Sequence, residues 1–294
     1  MIYDINHLTA YAYDEPVMSA TLALRLTPRN AGLQRKLAHT MRVDPPPDHI
    51  AAHQDFFGNE VDVVTIDTRH TELVIKSSSR VDCFDRPALI QESIAWERIA
   101  QTALTRRDLS GDALAHFLFP SPLITLERDV AMYAQESFPE GRGIFDACTE
   151  LMTRIRNDFE YETTTTEVST TVAQAFQQRS GVCQDFAQIM ISGLRGLGLP
   201  AAYVSGYLRT IPPPGEERLQ GADATHAWVS VWTGDVGGWI GFDPTNAIHA
   251  SSDHVDLAVG RDFSDVSPVH GVFVGSGTHQ LRVEVDVVPV EGNP

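Results

Sequence analysis

A chain of 294 residues, 43% hydrophobic and 21% charged, has the composition of a globular protein, and its length suits about two domains. The formal net charge of −17 argues against nucleic acid as a partner, because phosphate binding needs a basic face. Three cysteines are too few for a disulfide framework, no run of about 18 apolar residues could span a membrane, and the first residues lack a signal-peptide pattern. We therefore expect a protein of the reducing cytoplasm that does not enter a membrane.

Residues 1–90 are predicted to form an N-terminal antiparallel β-sandwich or barrel-like domain. Apolar and polar side chains alternate along residues 3–13 and 22–26, and turn residues separate these runs, as is typical of antiparallel strands. Further strands are expected at 37–43, 61–67 and 71–83, with a tight turn at 57–60. We assign this domain a structural or docking role.

Residues 91–294 are predicted to form a second domain in which helices precede strands, which is the pattern of an α+β fold. Residues 85–122 are interpreted as a linker with short helices. Helices are expected at 126–138, at 144–159, after Thr170-Thr171 and from Cys183, and strands at 202–208, 225–232, 238–243 and, near the C-terminus, 280–288. Cys148 lies on an apolar helical stripe and Cys83 ends a strand, so both are expected to be buried and inert.

Cys183 occupies the first turn of a predicted helix. Apolar residues recur at helical spacing from Phe186 onward, Ser180 can cap the start, and Gly198 with Pro200 ends the helix. Backbone N–H groups at a helix N-terminus favour negative charge, so a thiol placed there ionises more easily and becomes a better nucleophile. Cys183 also lies on the same stripe as Phe186 and should face the protein interior, where a base could reach it.

His226 and Asp243 are the predicted partners of this thiol. They lie on two predicted strands that form a hairpin, and a four-residue loop at 233–236 would place His226 directly opposite Asp243, with Cβ atoms about 5 Å apart. A slip of one residue would put the two side chains on opposite faces. In this arrangement Asp243 fixes the tautomer of His226, and His226 holds Cys183 as a thiolate.

Other polar groups give weaker alternatives. Asn246 could replace Asp243 as the orienting group, although its register in the hairpin is worse. The residues His249, Asp253, His254 and Asp256 are close in sequence, but their spacing fits no zinc template, so we predict no metal and no cofactor. The proline-rich loop 210–224 could form the rim of a cleft or be an ordinary surface loop.

The sequence around these residues resembles the transglutaminase-like superfamily, whose fold is papain-like. The motifs are RSGVCQDFA at 179–187, LRGLGLPA at 194–201, YVSGYL at 203–208, HAW at 226–228 and FDPTN at 242–246. The first domain also resembles the N-terminal region of the bacterial branch, through HLTAY at 7–11, LRLTPR at 24–29 and DFFGN at 55–59. The resemblance implies a core of helices packed on an antiparallel sheet, with Cys183 as nucleophile, His226 as base and Asp243 as orienting group.

The resemblance narrows the chemistry without fixing the reaction. Family members include cross-linking enzymes, amide hydrolases, proteases and inactive relatives. The shared step is attack of the thiolate on an amide carbonyl to give a thioester. We expect water to resolve this thioester, so that the protein is a cysteine peptidase or amidase acting on a peptide or protein amide. Acyl transfer to an amine by a transglutaminase and an inactive binding module are the alternatives.

Three further residues are assigned supporting roles at this site. The oxyanion is expected to bind the backbone N–H of Cys183 and a second donor, for which Tyr161 is the candidate. Gln184 is expected to support the start of the helix, and Trp228 to pack behind or beside His226.

Overall fold

The structure is a computed structural model that describes residues 1–30, 32–85, 93–162, 170–210 and 224–290. Most of the predicted loop 210–224 and the predicted domain boundary near residue 90 lie outside these residues. Within the described ranges, no helix combines the length and the apolar character that crossing a membrane requires.

Two four-stranded antiparallel sheets form a β-sandwich. The first sheet has the order β15-β1-β6-β3 and consists of β1 (Ile2–Val17), β3 (Gln34–Asp44), β6 (His70–Cys83) and β15 (His279–Pro289). The second has the order β14-β2-β5-β4 and consists of β2 (Ser19–Leu24), β4 (His49–Gln54), β5 (Glu60–Ile66) and β14 (Val269–Val274). The predicted antiparallel sandwich is therefore confirmed.

Two strands of the sandwich come from the far end of the chain, which corrects the predicted domain organisation. The strand expected at 280–288 is confirmed as β15, but it pairs with β1 and not with the strands of the predicted second domain. β14 pairs with β2 in the same way and was missed, as was β4. All of β4 and nearly all of β14 is exposed at a sheet edge, so neither has the buried face that produces an apolar alternation.

One face of the first sheet contacts two different cores. Near one end, Leu73 and Ile75 are fully buried against the second sheet of the sandwich. Near the other end, Tyr3 is buried against Tyr207 and Val255, which belong to the second half of the molecule. The alternation of β1 predicted this burial, and the structure shows that the same face both closes the sandwich and joins it to the rest of the protein.

The second half is a helical layer packed on a five-stranded antiparallel sheet. The sheet has the order β12-β11-β10-β9-β13, formed by β9 (Ala201–Leu208), β10 (Ala224–Trp232), β11 (Trp239–Asp243), β12 (Ile248–His249) and β13 (His254–Gly260). The helices are α1 (Trp96–Thr105), α2 (Arg128–Gln135), α3 (Ile144–Asp158), α4 (Val172–Gln178), α5 (Cys183–Gly196) and α6 (Phe263–Val266), with a 3₁₀ turn at Leu114–Phe117. Two-residue strands β7 (Glu160–Tyr161) and β8 (Ser180–Gly181) pair in parallel.

Helix α5 is the central element of this half. Its predicted apolar positions from Phe186 to Leu194 are fully buried, Leu197 just past its end is partly buried, and the helix packs between α2 and the sheet. Gly193 permits the close approach of α2, because a Cβ there would lie 2.8 Å from the Cβ of Ala134. The helix begins at Cys183 and ends at Gly196, and Gly198 follows with a φ of +77°. The predicted helix is thus confirmed and enclosed on nearly all sides.

Candidate active site

Cys183 is the first residue of α5, and Asp185 holds the chain at this point. Val182 is the N-cap residue, and its backbone N–H donates to Asp185 Oδ2 at 2.8 Å. The predicted cap at Ser180 is therefore wrong, because the N-cap position falls at Val182 and the side chain that binds a backbone N–H there is that of Asp185, inside the first turn. Gly181 is required by the same contact, since a Cβ at Gly181 would lie 2.6 Å from Asp185 Oδ2.

Cys183 differs from the two other cysteines in its exposure. It is partly buried at the edge of the helical core, whereas Cys83 and Cys148 are fully enclosed. Burial raises the pKa of the Cys83 thiol to about 12, and it raises the pKa of Cys148 even further above the ordinary range. Both were predicted to be buried, and this is confirmed. Cys183 is thus the cysteine that a substrate could approach.

His226 and Asp243 meet, but in a different register from the predicted one. Trp232 pairs with Trp239 and Val229 with Phe242, so the hairpin loop is two residues longer than expected and His226 lies diagonally from Asp243. A shift by an even number of residues keeps both side chains on one face of the sheet. The two side chains still touch, with His226 Nε2 2.8 Å from Asp243 Oδ2.

The carboxylate of Asp243 is fully buried and surrounded by donors. Oδ2 accepts from His226 Nε2, from Asn246 Nδ2 at 2.7 Å and from His254 Nε2 at 3.4 Å. Oδ1 accepts the backbone N–H groups of Thr245 and Asn246 at 3.0 and 3.2 Å. Burial alone would raise the pKa of Asp243, but hydrogen bonds from the two histidines and from Asn246 outweigh it and hold that pKa well below its usual range.

Asn246 and His254 complete this network in roles that the sequence did not indicate. Asn246, considered as a replacement for Asp243, instead donates to it. His254 Nδ1 accepts the N–H of Ser251 at 3.3 Å, which places the ring proton on Nε2, the nitrogen that faces Asp243. The density of His and Asp at 249–256 was the sequence signal for this region; it was considered for metal binding and rejected, and it did not indicate a partner for Asp243.

The surroundings of His226 favour the protonated form of its imidazole. Burial disfavours its charged form, but hydrogen bonds to Asp243 and Cys183 and the charges of both outweigh burial and raise the pKa of His226 to about 10. Because Nε2 is bonded to Asp243, Nδ1 is the nitrogen left to face Cys183. The three side chains can therefore form an imidazolium beside a thiolate, oriented by a buried carboxylate.

Tyr161 is brought to Cys183 by the pairing of β7 with β8. Glu160 N–H donates to the backbone carbonyl of Arg179 at 2.8 Å and Glu162 N–H donates to that of Gly181 at 2.9 Å, so the strand holding Tyr161 is fixed beside the two residues that precede α5. Burial, followed by the charge of Cys183, raises the pKa of Tyr161. A raised pKa keeps the Tyr161 hydroxyl protonated, as a hydrogen-bond donor to an oxyanion must be.

Two cavities adjoin His226 on different sides. The apolar cavity, of about 300 Å³, also contacts Cys183 and Gln184 and is lined by His7, Thr9 and Tyr11 of β1 and by Leu281 and Val283 of β15. The polar cavity, of about 370 Å³, is lined by Arg156, Tyr161, Leu208, Thr210, Thr245 and Asn246. The sandwich domain thus forms one wall of the site, which the sequence did not indicate when it suggested only a structural or docking role.

Trp228 is fully buried beside the histidines. Its ring centroid lies 6.0 Å from that of His226 and 5.1 Å from that of His254. It also lines a separate cavity of about 360 Å³ on the far side of the sheet, which does not include Cys183. The structure therefore places Trp228 where the sequence predicted it, packed against His226.

The His and Asp residues at 249–256, which are close in sequence, make separate contacts in the structure. His249 packs against Phe145, with ring centroids 4.6 Å apart, Asp253 accepts from the hydroxyl of Tyr3, and His254 turns toward Asp243. Within the described ranges, no group of three or more His, Cys, Asp or Glu side chains could hold a metal ion.

Comparison with known proteins identifies the family. Residues 3–82 match the bacterial transglutaminase-like N-terminal region, and residues 132–244 match the transglutaminase-like superfamily. An uncharacterized protein of Mycobacterium tuberculosis is 38% identical over 299 residues, covering 99% of this chain and 94% of that protein. The chain therefore belongs to the transglutaminase-like superfamily.

A solved structure supports the fold. The crystal structure of "a Putative Cysteine Protease from Cytophaga hutchinsonii" matches with a TM-score of 0.76 and 23% sequence identity. The match covers 100% of this chain and 93% of the chain in that crystal structure. The predicted α+β class with a papain-like, transglutaminase-type core is confirmed. A protein-glutamine gamma-glutamyltransferase of Pseudomonas aeruginosa is 39% identical over 71 residues, which are 24% of this chain and 10% of that protein.

Proposed function

We propose that the protein is a cysteine-dependent amide hydrolase, a peptidase or amidase, in which Cys183 is the nucleophile, His226 the acid and base, and Asp243 the orienting group. One observation carries this proposal. His226 is bonded to the buried carboxylate of Asp243 at 2.8 Å and lines one cavity together with Cys183, the first residue of α5. This is the arrangement of nucleophile, base and orienting group that acyl transfer requires.

In the first step the Cys183 thiolate attacks the carbonyl carbon of the amide, and a C–S bond forms. The negative charge moves to the carbonyl oxygen, where the N–H of Cys183 can donate, because the first N–H groups of a helix have no intrahelical partner. The hydroxyl of Tyr161 is the proposed second donor. The C–N bond then breaks, and the leaving nitrogen takes the proton of the His226 imidazolium, so that an amine departs and a thioester remains.

In the second step neutral His226 removes a proton from water as the water oxygen attacks the thioester carbon. The C–S bond breaks, a carboxylic acid is released, and the thiolate is restored beside the protonated imidazole. Each turnover consumes one water molecule and one amide, and no further reactant is required.

The surroundings of Cys183 favour water over an amine as the second reactant. A lysine-like acceptor arrives protonated and is best held by a carboxylate. Among the described residues that line the two cavities there is no Asp or Glu, and the polar cavity contains the cationic side chain of Arg156 beside His226. The partial similarity to a gamma-glutamyltransferase keeps acyl transfer as the second candidate.

We also propose that the enzyme works in the cytoplasm. A thiolate nucleophile must stay reduced, and the cytoplasm keeps free thiols in that state. All three cysteines are free, which is compatible with this compartment. Recovery of the native protein in a periplasmic or secreted fraction would contradict this proposal.

Alkylation and product analysis test the function. Iodoacetamide at neutral pH should label Cys183 selectively, since Cys83 and Cys148 are buried, and Cys183→Ala should remove both the label and any acyl-enzyme. A mixture of amide substrates should release amine and carboxylic acid, with or without added primary amine. Failure to label Cys183 would favour an inactive binding module, and incorporation of the amine in place of hydrolysis would identify a transferase.

A further inference from the structure

We infer that the apolar cavity binds an uncharged, apolar side chain of the substrate, adjacent to the amide that Cys183 attacks. This inference rests on the proposed function, because it uses the same nucleophile. The cavity adjoins both Cys183 and His226, so a substrate whose carbonyl lies at the thiol extends a neighbouring side chain into it.

The sandwich domain supplies the outer wall of this cavity. Thr9 pairs with Val283 and Tyr11 with Leu281, so these four side chains lie on one face of neighbouring strands β1 and β15. The face is continuous with the buried residue Val285 farther along β15. The apolar stripe that joins the two halves of the molecule thus extends beyond the interface and into the catalytic site.

Leu281 and Val283 are accessible in this position. They are 55% and 44% exposed, whereas Val285 on the same face is 1% exposed. Single exposed apolar residues are common on protein surfaces, but these two line a concave site beside a nucleophile. Covering them with an apolar side chain would remove their surface from water, which gives such a substrate a favourable contribution to binding.

Apart from Cys183 and His226, which take part in the proposed reaction, no described residue that lines the cavity carries a charge that would attract an ionic side chain. Among the described residues that line it, no Asp, Glu, Lys or Arg is present. Burial lowers the pKa of His7 to about 4, so His7 is neutral at physiological pH. Both ring nitrogens of His7 are also occupied, by Tyr207 at 2.9 Å and Thr9 at 2.8 Å. A charged side chain would lose its hydration here without gaining an opposite charge.

The volume limits what the cavity can hold. At about 300 Å³ it is at the lower end of the sizes of ligand sites, which are roughly 300–1,000 Å³. This space is enough for one side chain of the size of leucine or phenylalanine. The polar cavity on the other side of His226 contains Arg156 and differs in character, so the site is asymmetric about the nucleophile.

The test compares two aspartates introduced on the same strand. Val283 and Val288 are 44% and 42% exposed, but Val283 lines the apolar cavity and Val288 points to the other face of β15. Wild type, Val283→Asp and Val288→Asp are incubated with a peptide library varied on both sides of each bond, and the cut positions are read by mass spectrometry. Thermal unfolding of each variant establishes that it is folded, and iodoacetamide labelling establishes that Cys183 is reactive.

Wild type should cut next to Leu, Val, Met or Phe at least about tenfold more often than next to Glu or Lys, which is the discrimination expected of an apolar pocket. Val283→Asp should reduce this preference about tenfold or more and shift it toward Lys or Arg, whereas Val288→Asp should cut like wild type. Cleavage without an apolar preference, or an unchanged preference in Val283→Asp, would overturn the inference and leave the proposed function in place. A labelled Cys183 with no peptide cut would overturn the inference as well, and an unreactive Cys183 would overturn the proposed function itself.

Discussion

Asp243 is placed diagonally from His226 across the hairpin of β10 and β11, and its Oδ2 is nevertheless 2.8 Å from His226 Nε2. Diagonal neighbours on one face of a sheet have Cβ atoms somewhat less than about 7–8 Å apart, and two side chains of this length bridge that gap. The contact therefore depends on the parity of the register, and an odd shift would have destroyed it.

Replacing the carboxylate should abolish most of the activity. Asp243→Asn is expected to lower turnover about 10³-fold or more, because an amide can stabilise neither the tautomer nor the charge of His226 in the same way. Steady-state kinetics measure the effect. Asp235→Asn is the matched control, since Asp235 lies in the loop of the same hairpin with a side chain that is 68% exposed, and it should keep the wild-type rate. A near-normal rate in Asp243→Asn would remove Asp243 from the triad.

The pKa of His226 predicts a loss of activity at alkaline pH. A value of about 10, raised from 6.5, means that the imidazolium persists at neutral pH and is lost as the pH rises through about 10. The contribution of the charged imidazole to the free energy of unfolding is fully present below about pH 6.5 and is lost as the pH rises through about 10. Turnover, which needs this proton for the leaving amine, should fall above pH 10.

Alkylation of Cys183 by iodoacetamide provides the control for this pH dependence, because it needs the thiolate but no acid and should not fall above pH 10. Asp243→Asn should move the alkaline limb of turnover to lower pH, since it removes a hydrogen bond that raises the pKa of His226. If the rate of turnover and the rate of alkylation fall over the same alkaline pH range, the cause is unfolding and not deprotonation of His226.

His254 is expected to act as a positioning residue. His254→Ala removes a donor at 3.4 Å from Asp243 and should lower kcat several-fold, up to about tenfold, with little change in KM. His254→Gln keeps a donor and should recover part of the loss in kcat. If the role of His254 is purely structural, His254→Ala should lower the melting temperature without a selective effect on kcat. Equal kcat values for both variants and wild type would show that the contact is dispensable.

Tyr161→Phe tests the oxyanion donor. Loss of one such donor is expected to lower kcat about 10²-fold or more, while the rate of iodoacetamide alkylation of Cys183 remains near wild type. Tyr133→Phe is the control, because the Tyr133 hydroxyl donates to Asp158 at 2.8 Å and does not line either cavity at His226. An unchanged kcat in Tyr161→Phe would leave Tyr161 as a wall residue only.

Asp185→Ala tests the start of α5. Loss of the bond from Val182 N–H should lower the free energy of unfolding by about 1–2 kcal/mol, as measured by urea denaturation. Asp146→Ala is the control, since Asp146 occupies the first turn of α3 and is exposed, and it should change stability by less than about 0.5 kcal/mol. Equal effects of the two substitutions would contradict a special role for Asp185.

The sequence predicted the elements that have a local signal. The helix from Cys183 was clear from its apolar spacing, and the shared face of His226 and Asp243 followed from alternation alone. The register did not follow, because the loop closes between Thr233 and Gly238, with positive φ at Gly234 and Gly238, and composition does not fix the length of such a turn.

Contacts between distant segments could not be read from the sequence. His254 lies on β13, which pairs with β9, whereas Asp243 lies on β11. Their contact therefore crosses the sheet between strands that are not neighbours, and no hairpin pairing could predict it. Alternation in β1 indicated a buried face but not that the stretch from His7 to Tyr11 would lie beside Cys183. The role of the sandwich in the site is therefore a property of tertiary structure.

The pairing of β1 with β15 has a consequence for how this site is assembled. Strands separated by most of the chain must find each other, and contacts of such long sequence separation form slowly. While the protein is being synthesised, the edge of β1 stays open and the catalytic cleft lacks Leu281 and Val283 until β15 has emerged from the ribosome. Cys183 is therefore translated before the strand that completes the wall of the apolar cavity, and this wall forms only when nearly the whole of this sequence has been translated.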